Sequence, residues 1–206
     1  MATKTFEHCS LHYLNQWLTY DMGCCQALAN DDKSMKLTTL KKAGSFYRVA
    51  RNLPSKYDKG KGLARYQPVL DIIDYLKPSQ FENNSVKEIV KISEKISEKY
   101  GGKKVLSLTT KFLWIKIKQP ILIYDSRARI ALGTKNQDLD ACYEKWHKEF
   151  KVHQGEIAKA CSKLPDMNKY AINQEIGTKE YIEEISKEPW FHERVFDIFL
   201  WSKGNL

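Results

Sequence analysis

The sequence predicts an all-α protein, and three observations carry that expectation. Apolar residues recur at three- and four-residue spacings through most of the chain. Runs rich in β-branched residues are too short and scattered to build a substantial sheet. Glycine and proline fall between the periodic segments, where turns are needed. There is no internal repeat and no low-complexity tail, so residues 1–206 read as a single helical domain.

His12 to Asn30 reads as the first helix, with Leu14, Leu18, Met22, Cys25 and Leu28 along one side. Leu37 to Leu53 reads as the second, stopped by Pro54. Ser55 to Arg65 is a polar, glycine-bearing loop, and Tyr66 to Leu76 a short helix before Lys77-Pro78. Ser85 to Tyr100 has the clearest helical pattern. Ser85 and Glu88 have capping-box spacing, and Ile89, Ile92, Ile96 and Tyr100 form a stripe. Ser107 to about Ile117 continues as a helix, Ile121 to Tyr124 as a short extended run, and Asp125 opens another helix. Leu139 to Leu164 is a long amphipathic helix with Cys142, Trp146, Phe150, Ile157 and Cys161 inward. Pro165 to Gly177 is an irregular link, and the last helices run from Thr178 to Trp201.

Charge narrows the choice of partner. There are 34 Lys and Arg against 25 Asp and Glu, a net charge of +9. Such a surplus favours a polyanion, because basic side chains release counterions from phosphates. No stretch approaches the roughly 18 apolar residues that cross a bilayer, and MATKTFEHCS has no signal-peptide core. No membrane partner and a cytoplasmic location are therefore expected. The five cysteines are odd in number, two are adjacent, and none has C-x-x-C spacing. Neither a disulfide framework nor a metal site is expected, and no cofactor.

The densest information lies in Ser107 to Leu132, SLTTKFLWIKIKQPILIYDSRARIAL, preceded by Tyr100-Gly101-Gly102-Lys103-Lys104. Gly101 and Gly102 permit the left-handed backbone of a tight helix–helix turn, although the same residues could simply end a helix. Amides near Ser107, assisted by Lys103 and Lys104, could then hold a phosphate. Lys111 falls at the border of the buried face of its helix. It either snorkels to water or is a desolvated amine able to attack a sugar C1′ and form a Schiff base. Lys116 and Lys118 read as phosphate contacts. Asp125 reads as a helix N-cap or as a fixed carboxylate that stabilises positive charge on a sugar, and the two roles are compatible. Arg127 and Arg129 surround it.

Hairpin, lysine-bearing helix and helix-opening aspartate, in that order, resemble the helix–hairpin–helix DNA glycosylase superfamily, particularly small 8-oxoguanine-glycosylase-like proteins. Lys111 in TTKFLWI matches the position of that family's lysine, and Asp125 in ILIYDSRARIAL matches its aspartate. Arg127 stands where many members carry histidine. The hairpin departs from the family's L-P-G-V-G pattern, and Pro120 precedes Asp125 by five residues. The resemblance covers roughly Ser85 to Leu132. It implies a two-lobed helical fold and a monomer that binds double-stranded DNA with a damaged or modified base. That base would be flipped out and its N-glycosidic bond cleaved, in repair or in defence against phage with modified DNA. Asp125 and Lys111 would be catalytic. Gly101, Gly102, Lys103, Lys104, Ser107, Lys116, Lys118, Arg127 and Arg129 would hold DNA. Trp114, Tyr124, Arg51, Asn52 and Trp201 are candidates to line the base pocket. The competing reading is a non-catalytic helical DNA-binding module in which Asp125 is only a cap.

Overall fold

The computed structural model describes residues 4–53 and 64–204, and all its regular structure is helical, with no strand among the described residues. The predicted loop from Ser55 to Arg65 lies largely outside them. The chain divides into two compact units, Met1–Gly23 with Asp125–Leu206, and Cys24–Tyr124.

In the first unit, α1 (Phe6–Gln16) packs on α8 (Leu139–Cys161) and α10 (Pro189–Lys203), and α10 also packs on α7 (Ser126–Ala131). Aromatic rings fill the spaces between them. Trp146 stacks on Phe150 and meets Phe196 edge-on, Trp17 lies against Trp190, and Tyr13 against Phe191. Rings of this size bury much apolar surface for little rotamer entropy, so they dominate the cohesion of the unit. Phe150 itself is only half-buried, at the edge of the inward face predicted for α8.

The first helix starts earlier than predicted, at Phe6, because Thr5 caps it by accepting the His8 amide. It is also not uniform. Trp17–Asp21 is a π-helical turn leading into α2 (Met22–Ala29). A π turn widens the helix by one residue, and here Trp17, Leu18 and Asp21 are buried within it. At the other end, α8 stops at Cys161. The following segment, predicted as irregular, contains a 3-10 run, Leu164–Tyr170, with Pro165 in its first turn, where a missing N–H costs nothing. The chain ends in α9 (Lys179–Ile185), capped by Thr178, and α10.

In the second unit, α3 (Lys33–Phe46), α4 (Gln67–Ile73), α5 (Ser85–Lys99) and α6 (Leu106–Ile117) pack in sequential pairs, and α3 also touches α6. The second predicted helix is shifted. Asp32 accepts the Ser34 and Met35 amides and starts α3 at Lys33, while a left-handed Arg48 (φ 55°) ends it well before Pro54. Only a 3-10 turn, Ala50–Asn52, occupies the rest of the predicted span. α5 buries Ile89, Ile92 and Ile96 as the stripe requires. The predicted capping box does not form. Asn84 takes the N-cap position without a side-chain bond, and Glu88 pairs with Lys91 at 3.6 Å instead. α6 is almost wholly inside, from Leu108 to Ile115.

Candidate functional site

The turn between α5 and α6 is built by its two glycines. The Gly101 amide donates to the Glu98 carbonyl (3.4 Å) and the Gly102 amide to that of Ser97 (3.0 Å). These paired bonds form a Schellman motif, with Gly101 at φ 67° and Gly102 at φ 78°. The helix-end and hairpin readings of YGGKK thus coincide: the same bonds that close α5 turn the chain into α6. Lys103 and Lys104 follow, both exposed. Val105, at the N-cap of α6, supplies no side-chain cap to its first-turn amides.

One turn into α6, Lys111 does not snorkel. It is 4% exposed, and its Nζ donates to Ser107 Oγ at 2.9 Å. The predicted border position is corrected by the depth of α6, which is surrounded rather than half-covered. Lys116 is corrected more sharply. Its ammonium donates to the Leu28 carbonyl (3.1 Å) and lies 3.6 Å from Asp74, which also holds the buried Lys36 at 2.6 Å. That geometry turns Lys116 toward the protein and away from a phosphate. Lys118 ends α6 with a positive φ (64°), half-buried, just before the cis Gln119–Pro120 bond.

Trp114 is 1% exposed inside the second unit, a core side chain rather than a presented one. Tyr124 is half-buried, and its amide donates to Thr110 Oγ1 at 3.1 Å, which fixes the exit from the apolar run. Arg51 is exposed on its 3-10 turn. The side chain of Asn52 lies outside the described part of the structure.

In the first unit, Asp125 caps α7. Its backbone is extended (φ −108°, ψ 140°), and its Oδ1 accepts the Arg127 amide at 2.9 Å. The amide orients the carboxylate at the helix start. The packing of α7 on α10 brings together two predicted residues, Arg127 and Trp201. The guanidinium sits 4.7 Å from the indole centroid, and Trp201 keeps 41% of its surface exposed. Arg129 is used structurally instead: its guanidinium donates to the Lys135 carbonyl and ties down the turn after α7.

Sequence reasoning missed the polar cluster near α7. Asp197, on α10, is 7% exposed and accepts from Trp146 Nε1 (2.9 Å) and Arg194 (2.8 Å). Burial pushes its carboxyl up from the usual carboxylate range, opposed by the Arg194 charge, and the Asp125 charge adds to the rise. Trp146 and Asp197 are 51 residues apart, so no local spacing announces their bond. Burial also makes poor nucleophiles of three cysteines. It pushes Cys9 up to about 11 and Cys161 up to about 12, and raises Cys142. Among the described residues no group of three or more His, Cys, Asp and Glu is placed to hold a metal ion, and no helix is long and apolar enough to cross a membrane.

No protein-family model, no curated protein and no solved structure matches this chain.

Proposed function

We propose that the protein is a DNA glycosylase that flips a damaged or modified base out of duplex DNA and cleaves its N-glycosidic bond. The observation that carries this reading is the α5–α6 hairpin with its buried lysine. A Gly-Gly Schellman turn presents two exposed lysines, and the helix that follows holds Lys111 away from bulk water on the Ser107 hydroxyl. Phosphate binding at the turn would position the duplex without reading its sequence. An oriented carboxylate at the start of α7 supports the second half of the reaction.

Bond cleavage leaves positive charge on the sugar, and the Asp125 carboxylate stabilises it. In the lyase form, the neutral Lys111 amine attacks C1′ while the bonding pair leaves with the base, which takes up a proton. Ring opening then gives an imine to Lys111. In the hydrolytic form, water adds to C1′ and Asp125 takes its proton. Both forms release the same base.

The test uses duplexes with modified bases. Asp125→Asn keeps a capping oxygen and loses the charge. It should retain DNA binding and lose about a hundredfold in single-turnover base release, equivalent to roughly 3 kcal/mol. Borohydride should trap wild type covalently on DNA if Lys111 is the nucleophile, and Lys111→Ala should abolish both the trap and base release. Wild-type rates of base release by folded Asp125→Asn protein reject the proposal.

A further inference from the structure

From Lys33 to Leu53 the sequence holds no Asp or Glu, yet it carries Lys33, Lys36, Lys41, Lys42, Arg48 and Arg51. The structure sorts these six cations. Lys33 meets Asp71 of α4 (3.8 Å), and Lys36 meets Asp74 just after it (2.6 Å). Lys41, Lys42, Arg48 and Arg51 are exposed at the far end of α3 and just beyond it, and make no ion pair with a described residue. Within this cationic end stands Phe46, one helical turn after Lys42. It is 44% exposed and meets the Tyr47 ring edge-on at 5.1 Å.

The backbone here is held in an unusual state. The Arg48 amide donates to Ser45 (3.1 Å) and the Val49 amide to Gly44 (2.9 Å), the same Schellman pairing as at Gly101 and Gly102. The left-handed position, normally a glycine's, is taken by Arg48 at φ 55°. A side chain there strains the chain, and strain of this kind persists where the surroundings enforce it. Contacts hold the backbone on both sides of Arg48. A Cβ on Gly44 would stand 2.7 Å from the Tyr66 hydroxyl, so α3 is seated closely on that ring. The Arg65 guanidinium donates to the carbonyls of Ala50 and Leu53 on either side of Arg51.

From this geometry we infer a second DNA-binding surface at the end of α3, built for a strand whose bases are unstacked. Phe46 is its stacking platform, and Lys41, Lys42, Arg48 and Arg51 are its phosphate contacts. A single strand alternates a phosphate with an exposed π-face, which matches an aromatic ring set among cations. A duplex hides those faces in its stack, and an acidic peptide offers charge without rings at each step. The inference does not depend on the chemistry assigned to Asp125.

The test is fluorescence anisotropy of the full chain with a 20-mer oligothymidine and with a blunt duplex of equal length, both unmodified. Phe46→Ala should weaken oligothymidine binding about tenfold and leave duplex binding near wild type. The K41Q/K42Q/R51Q variant should lower the salt slope by about 2, since single-strand slopes run near 0.7 per phosphate contact. A charge-matched K148Q/K151Q/K159Q variant on the exposed face of α8 should change it little. Arg48→Gly should unfold at a higher temperature than wild type and bind less tightly, which separates the contact from a structural role. Unchanged oligothymidine affinity in Phe46→Ala overturns the inference. So does equal loss on the duplex, equal loss in the α8 variant, or no oligothymidine binding by wild type. Because no bond is cleaved in these measurements, their failure leaves the glycosylase reading standing, and inactivity toward modified bases leaves this surface standing.

Discussion

The indole of Trp146 donates a 2.9 Å hydrogen bond to the carboxylate of Asp197, inside the first unit and beside the start of α7. Arg194 satisfies the other oxygen. A buried carboxylate with two good donors is locally complete, and removing one partner leaves the rest stranded. Asp197→Ala should therefore destabilise the protein by about 3–5 kcal/mol, measured by urea unfolding.

The same carboxyl gives a pH signature. Its folded value is raised, so the folded state binds more protons than the unfolded state between 3.8 and that raised value. Ionised Asp197 weakens the fold above its folded value, and this penalty is relieved as pH falls toward 3.8. Relative to Asp197→Asn, wild type should gain stability as pH is lowered through that window. Glu7, Glu149 and Glu183, at the surface, have lowered values, so their contributions are instead lost as pH falls below about 4.5. Comparing wild type with the single variant cancels them. An unfolding difference that is flat from neutral pH to about pH 4 contradicts the assignment.

Gly44 and Tyr66 should behave as a coupled pair. Alanine is the better helix former, yet its methyl would stand 2.7 Å from the hydroxyl of a ring that is 1% exposed. Gly44→Ala is expected to lower stability by about 1–3 kcal/mol. Tyr66→Phe removes the clashing oxygen, so the double variant should recover much of the loss. Additive effects in that cycle would show that the contact is loose.

Asp74 lies between two partly withdrawn ammonium groups, Lys36 at 2.6 Å and Lys116 at 3.6 Å. Asp74→Asn should cost about 3 kcal/mol, because it leaves Lys36 charged and 7% exposed without its counter-ion. Lys116→Gln, by contrast, should leave the salt dependence of DNA binding unchanged, since that side chain faces the Leu28 carbonyl.

Charge reversal at Lys103 and Lys104 should weaken duplex binding across sequences and flatten its dependence on salt. Both side chains are exposed beside the hairpin glycines. Equal affinity and an equal salt slope in the double variant would remove the hairpin from the phosphate contacts.

The sequence by itself determined the helical class, the apolar stripe of α5, the turn at Gly101-Gly102 and the cap at Asp125. Each depends on neighbours within a few residues: the 3.6-residue period, the φ that glycine permits, the short oxygen that reaches an orphan amide. Tertiary structure decided what local spacing cannot encode. Lys111 and Lys116 lie on one helix; the sequence puts the first at the border of its buried face and the second among the phosphate contacts. Packing put one ammonium on Ser107 and the other between Asp74 and Leu28. It also drew Trp201, near the end of the chain, to Arg127, and Trp146 to Asp197 across 51 residues. Local patterns report which face of a helix is apolar. Only the assembled neighbours fix which polar atoms find partners, because a buried donor must be satisfied by whatever the fold brings within reach.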